Sequence, residues 1–325
     1  MSDTHEALIC AYRGGPEGAL RQTDWSGIRD WQPEAGTLWV HLNRKASESR
    51  RWLESDSGLP GLVIEALLQE ETRPRIAPMP GGLLVILRGV NLNPGANPED
   101  MVSIRMWIER DRLITLRGPR LLAVQDVRDD LDAGRGPATA AEVLAALAES
   151  LIARMGPVVV ELDEALDTVE ETLLTQQSRD MRARLIALRR QGIILRRYIA
   201  PQREVLARLA SERFEVIADT DRARLREVSD RVARYMEDLE AVRDRAAVAQ
   251  EELANRLTDR MNRTMYLLSV VATLFLPLSF VTGLLGVNVG GIPGADDPSG
   301  FIVLSIILAV TLAAEAAIFW ISRSS

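Results

Sequence analysis

Between Asn262 and Gly283, small and weakly polar side chains recur at steps of three and four: Asn262, Met265, Ser269, Ala272, Leu276, Ser279 and Gly283. On a helix they form one stripe, opposite a bulkier face of Leu267, Val270, Val271, Leu274 and Leu278. The stripe holds no His, Cys, Asp or Glu, so a zinc ion there would lack its usual protein ligands. Two kinds of chemistry fit it. Small residues let membrane helices approach closely. Repeated around an axis, the same residues would line a watery path with apolar constrictions at Met265 and Leu276. A single helix pair cannot enclose a pore, so the second reading requires an oligomer. Carboxylates gather elsewhere at helical spacing, in Glu161, Asp163, Glu164, Asp167, Glu170 and Glu171, and again in Glu237, Asp238, Glu240 and Asp244. They read either as solvated helix faces or as an oxygen-rich regulatory cation site.

The stripe needs an element to carry it. From Thr264 to Ala295 there is no charged residue, and from Phe301 to Ile321 there is one, Glu315. Each apolar run is long enough to cross a ~30 Å hydrocarbon core. The segment between them, Gly286 to Gly300, is dense in Gly and Pro and reads as a short loop. This predicts a two-helix transmembrane hairpin. Arg256, Arg260 and Arg263 precede the first span, Arg323 follows the second, and the loop has no basic residue. Both termini are therefore expected in the cytoplasm. Glu315 near the inner end is expected to snorkel or to pair with Arg260 or Arg263, with a proton-coupling role as the alternative.

Ahead of the first span, residues 220–263 contain no Gly or Pro. Leu225, Val228, Val232, Tyr235, Leu239, Val242, Ala246, Ala249 and Leu253 fall at alternating steps of three and four, a heptad seam continued by Leu257 and Met261. With Asp219 or Thr220 as cap, one helix is expected from 220 to 285, about 100 Å long at 1.5 Å per residue. Pro277 is expected to bend it without ending it. Such a helix reads as a mechanical link into the membrane or as a plain coiled-coil stalk.

The remainder reads as α/β. Strands are expected at Ala7–Arg13, Thr37–Asn43, Leu83–Asn91, Met101–Glu109 and Leu113–Arg117, and helices at Glu48–Glu54, Pro60–Glu71 and Pro119–Asp132. Residues 73–82 and 93–99 are expected as loops. Thr139 opens a helical stretch, Ala140–Gln176 and then Arg179–Ala210, with kinks or breaks at Pro157 and Pro201. The expected division is an α/β cytoplasmic domain 1–138, a long-helix stalk 139–263, a first span 264–285, an external loop 286–299, a second span 300–321 and a cytoplasmic tail 322–325.

Composition removes other classes. The 325 residues carry a net charge of −7, which argues against nucleic acid as a partner. One cysteine, Cys10, and two histidines, His5 and His41, exclude a disulfide scaffold, a Cys-rich zinc module and a three-His zinc site. No basic, apolar leader is visible at the start. No phosphate-binding loop, dinucleotide fingerprint, HExxH or EF-hand loop occurs, and no catalytic site is visible, so an enzyme is not expected and no cofactor is expected to be covalently bound.

Tyr198-Ile-Ala-Pro-Gln-Arg-Glu-Val-Leu206, Phe275-Leu-Pro-Leu-Ser-Phe280, Val281-Thr-Gly-Leu-Leu285 and Gly286-Val287-Asn288, with the terminal hairpin fed by a long helix, resemble the CorA family of divalent-cation transporters. Magnesium-transporting members usually carry Gly-Met-Asn at the turn. The continuation here, Val289-Gly-Gly-Ile-Pro-Gly294, is similar to the zinc-transporter branch, ZntB. The resemblance implies a funnel-shaped homopentamer in the inner (plasma) membrane that conducts divalent cations, zinc foremost, with magnesium or cobalt as the alternative cargo. It implies that Asn262, Met265, Leu268, Ala272, Leu276, Ser279 and Gly283 line the pore, placing Leu268 where periodicity places Ser269. It further implies a selectivity motif of Gly286, Val287 and Asn288, with Asp296 and Asp297 attracting cations at the outer mouth. A stalked scaffold or sensor that transports nothing is the reading from a different class. The family's members often end in a basic cluster; this chain ends Ile-Ser-Arg-Ser-Ser.

Overall fold

The structure is a computed structural model and describes residues 7–14, 18–175, 180–286 and 297–324. The chain divides into two compact units, 1–250 and 251–325.

The first unit is built on a seven-stranded sheet of β1 (Leu8–Gly14), β2 (Leu20–Thr23), β3 (Leu38–Asn43), β4 (Arg75–Met79), β5 (Gly82–Gly89), β6 (Val102–Ile108) and β7 (Arg112–Arg117), ordered β2-β1-β3-β7-β6-β5-β4. All neighbours are antiparallel except β3 and β7, which run parallel with Leu38 opposite Arg112. The five central strands are those expected from their apolar alternation. The two additional strands, β2 and β4, lie at the edges. β2 has only four residues, and β4 contains Pro78, which lacks the N–H a central strand must donate and is tolerated at an edge. A loop had been expected at 73–82 for the same reason.

One sheet face carries Leu38, Val40, Leu84, Ile86, Trp107 and Ile114, and is covered by α2 (Ser47–Ser55) and α3 (Gly61–Leu68) through Trp52, Leu53, Val63 and Leu67. A short α1 (Trp25–Arg29) precedes them, capped by Asp24 Oδ1, which accepts from the backbone N–H groups of Ser26 and Gly27. The opposite face is covered by α4 (Leu122–Asp132) and α5 (Ala140–Ala153). At the α5 crossing β5 ends in Gly89, where a Cβ would come within 2.6 Å of Leu151. Thr139 and Glu142 form a reciprocal cap at the start of α5: Thr139 Oγ1 accepts from the Glu142 N–H and Glu142 Oε2 from the Ala138 N–H. The run Ala140–Leu173 is long and apolar enough for a membrane span, yet half of its apolar window is buried inside the unit. Its hydropathy serves a core.

His41 lies on this second face, fully buried, its Nδ1 2.7 Å from Thr115 Oγ1. Burial, then the charges of Arg117 and Arg128, hold its basicity well below the ordinary 6.5. The unfolded chain takes up this proton near pH 6.5 and the folded chain does not. The stability involved is therefore intact above pH 6.5 and lost as pH falls below it, by up to about 1.4 kcal/mol per pH unit. Thermal unfolding followed between pH 7.5 and 5.5 should show a steeper acid loss for the native protein than for His41→Gln; equal slopes would remove His41 from the account.

The expected helix Ala140–Gln176 is two: α6 (Gly156–Thr175) starts afresh beside Pro157, which sits in its first turn, where a missing N–H costs nothing. α7 (Asp180–Ser211) passes through Pro201 without breaking. α8 (Asp219–Leu285) is one helix of 67 residues, unbroken at Pro277, and begins one residue earlier than the predicted start. Its seam is buried as the heptad predicts, with Leu225, Val232, Leu239, Val242 and Ala246 at 0% exposure. Each is worth about 1.5–3 kcal/mol, less for alanine. The exceptions are Tyr235, half-exposed, with Met236 buried in its place, and the continuation at Leu257 and Met261, 51% and 58% exposed. The seam is covered within the chain, by α5, α6 and α7. Arg224 pairs with Glu149, Arg196 with Glu240 (2.6 Å) and Arg245 with Asp163 (2.8 Å). The heptad therefore requires no second copy.

The second unit comprises the end of α8 and α9 (Gly300–Ser324), which runs past the predicted boundary at 321. Both helices have windows apolar enough to cross a membrane, with none of either window buried.

Candidate functional site

On α8, the residues expected along the pore all lie on exposed surface. Met265 is 58% exposed, Leu268 64% and Leu276 72%, and Asn262, Ala272, Ser279 and Gly283 are exposed as well. Ser269, the alternative to Leu268, is also exposed. Val270, Leu274 and Leu278, from the predicted bulky face, are half-buried, as are Leu304, Leu308, Thr311 and Glu315 on α9. Each helix of this unit thus has one half-buried stripe, and the small stripe of α8 is on the side away from it.

The stripe is bare in a specific way. Among the described residues, a Cβ at Gly283 meets no atom within 4 Å, so none of them requires glycine there. Hydroxyls next to the stripe are folded back onto their own helix: Thr282 Oγ1 donates to the carbonyls of Leu278 (2.9 Å) and Ser279 (3.1 Å). Such bonds keep a hydroxyl proton satisfied while one lone pair stays free. Gly286 closes α8 by donating its N–H to the Thr282 carbonyl at 2.9 Å.

Of the remaining residues expected to act, Val287, Asn288 and Asp296 lie outside the described residues. Asp297 stands just before α9. Its Oδ1 accepts from the Ser299 hydroxyl (2.6 Å) and N–H (2.8 Å), and these bonds hold its carboxyl below the ordinary range, so it is charged at neutral pH. Glu315 pairs with neither Arg260 nor Arg263. Its Oε2 is buried without a hydrogen-bond partner among the described residues.

The carboxylate clusters have an internal cation. Arg245 of α8 reaches Asp163, Asp167 and Glu170 of α6. The bonds to Glu170 and then Asp167 raise its already high basicity. Among the described residues, no group of three or more His, Cys, Asp or Glu is arranged to hold a metal ion. An arginine occupies the centre where a regulatory cation was one of the two expectations. In the second cluster, Glu240 pairs with Arg196 and Asp244 with Arg243.

Sequence reasoning gave no role to Tyr198 or Gln202, although both lie in a family-like stretch. Gln202 is fully buried in α7, and its Oε1 accepts the backbone N–H of Arg88 on β5 at 2.6 Å. Arg88 lies over the Tyr198 ring, 4.4 Å from its centroid. The stretch thus joins α7 to the sheet.

The model of the CorA-like Mg2+ transporter protein family matches residues 34–323. The divalent cation transporter CmaX of Pseudomonas aeruginosa is 44% identical over 304 residues, 92% of this chain and 91% of the relative. The zinc transport protein ZntB of Pectobacterium carotovorum is 36% identical over 320 residues, 98% and 96% of the two chains. Among solved structures, full-length CmaX superposes with a TM-score of 0.86 at 40% identity, covering 99% of this chain and all of the other. The CorA magnesium transporter of Methanocaldococcus jannaschii has a TM-score of 0.82 at 16% identity over 95% and 96%, a likeness of fold alone. The sheet unit, the long helix and the closing pair of apolar helices are thus those of a known transporter architecture, and the chain belongs to the CorA family of divalent-cation transporters.

Proposed function

We propose that this chain forms a homopentamer in the inner membrane and passes zinc through a central pore lined by the small stripe of α8. The observation that carries the reading is the free face itself: unpacked within the chain, weakly polar, and without any of the side chains that bind zinc directly. The names of the ZntB relatives support zinc as cargo. The ion then keeps most of its water shell and touches amides, hydroxyls and backbone carbonyls. Asn288, five copies in a ring, holds water ligands at the outer mouth beside Gly286 and Val287. Asp296 and Asp297 concentrate cations there by long-range attraction. Selectivity rests on ring geometry and field. Both termini are cytoplasmic in this arrangement, and α8 is the mechanical link between the cytoplasmic residues and the span.

The test is flux into liposomes of purified protein, compared for zinc, nickel, cadmium and magnesium. Zinc, nickel and cadmium are expected to pass faster than magnesium. A preference for magnesium or cobalt would reassign the cargo, and no flux under any gradient would favour a scaffold.

A further inference from the structure

A cavity of about 730 Å³ opens in the first unit, lined by residues 69–73, Arg88, Arg197 and Tyr198. Its lining has an excess of cations, with Arg73, Arg88 and Arg197 beside Glu70 and Glu71. Arg88 and Arg197 both lie over the Tyr198 ring, 4.4 and 4.8 Å from its centroid. Arg88 donates to the Thr72 carbonyl (2.6 and 3.1 Å) and the Met101 carbonyl (2.8 Å). Arg105, 2% exposed, donates to the carbonyls of Gln69 (2.8 Å) and Glu70 (3.2 Å), and Arg44 to that of Leu68 (3.2 Å). With Arg73, five guanidinium groups gather at the end of α3 and the segment after it. Among the described residues none of the five is within ion-pair distance of a carboxylate. Glu70 and Glu71 line the same cavity and, like Arg73 and Arg197, are exposed; the Glu71 charge acts on Arg88, so the lining sets three arginines against two carboxylates.

Backbone carbonyls take up only part of this donor set. The Nε atoms of Arg44 and Arg105, Nε2 of Gln202 and Oγ1 of Thr72 are buried with no partner. Thr72 is 8% exposed and lines the cavity. Buried polar groups are rarely left unpaired, and a buried cation without a counter-charge is costly. The mutual repulsion is felt at Arg105, where burial and then Arg44 and Arg88 push the guanidinium down to about 10.

We propose that this cavity binds a phosphoryl-type oxyanion, gripped by Arg73, Arg88 and Arg197 and accepting the Thr72 hydroxyl proton. Planar guanidinium forks match the paired oxygens of a phosphate, and the volume admits either free phosphate or the phosphates of a nucleotide. The ligand would brace the segment after α3 against α7 and so reach the helices that clasp α8. The site stands independently of the ion pathway.

The test uses the full-length protein in detergent. Binding of labelled inorganic phosphate is measured by equilibrium dialysis at fixed ionic strength in chloride, with ATP as competitor. Saturable binding at one site per chain is expected. Arg73→Gln combined with Arg197→Gln should weaken it at least tenfold while leaving the ligand-free melting temperature unchanged, and Thr72→Val should weaken it several-fold. Displacement by ATP at lower concentration than phosphate assigns the site to a nucleotide; failure of ATP to compete assigns it to the free oxyanion. Absence of saturable binding for both, or unaltered binding in the double variant, overturns the proposal.

Discussion

Replacing Gly283 by leucine should abolish cation flux, with a loss of at least a hundredfold, and leave the protein folded and assembled. The fold has no objection to the change. A Cβ at Gly283 meets nothing among the described residues, the residue lies inside a helix, and leucine favours a helix over glycine by about 0.8 kcal/mol. The effect comes from multiplicity. In a ring of five, each replacement adds an isobutyl group at the same height, where the proposed path carries an ion with its water. Zinc uptake into liposomes gives the first readout, and the mass of the assembly in detergent gives the second. Val271→Leu, away from the stripe, serves as the control and should transport normally. Native flux from an assembled Gly283→Leu protein would show that this face is not the path.

Asn288→Ala should be nearly as severe. Its side-chain amide is both donor and acceptor, so one residue can orient a water ligand and still hydrogen-bond a neighbour. Five amides in a ring present oxygens to the hydrated ion without the charge that would trap it. Alanine keeps the backbone and loses all five, so uptake should fall to background while assembly is retained. Uptake at the native rate by this variant would sink the role given to Asn288. Asn288→Asp supplies a complementary arm: it should retain cation entry and change the order of preference among zinc, nickel and magnesium.

The elements that bury a repeating pattern were legible in the sequence, and the reasons are local. Strands β3, β5, β6 and β7 alternate or run apolar and lie inside the sheet, where that pattern is required. The α8 seam reads directly from Leu225 to Leu253, because steps of three and four have one meaning on a helix. Tyr235 was misplaced by one residue in favour of Met236, since the side chain packed there is decided by a neighbour: the Tyr235 hydroxyl lies so near Gly156 that a Cβ on that glycine would approach it within 2.6 Å. Edge strands β2 and β4 were not legible, being short and, in β4, interrupted by proline.

The small stripe of α8 was visible for the same reason as the seam. The cavity lined by Arg73, Arg88 and Arg197 was invisible, because these arginines come from separate parts of the chain and meet only in the folded unit. Glu315 shows a third limit. Its place in an apolar run was evident, but whether it finds a partner depends on how the two helices pack, and its Oε2 is buried without a hydrogen-bond partner among the described residues.

The burial of the α8 seam inside its own chain has a consequence for synthesis. Everything that covers residues 225–253 precedes them: the sheet and α5, α6 and α7 are already made when α8 begins. The first unit can therefore complete its core while the apolar residues after 263 are still being added, and the growing chain need not wait for the membrane to fold. What reaches the lipid is a finished body trailing a bare helix. Partner copies would meet through preformed surfaces, so a defect in the spans should yield a folded, unassembled chain rather than a misfolded one.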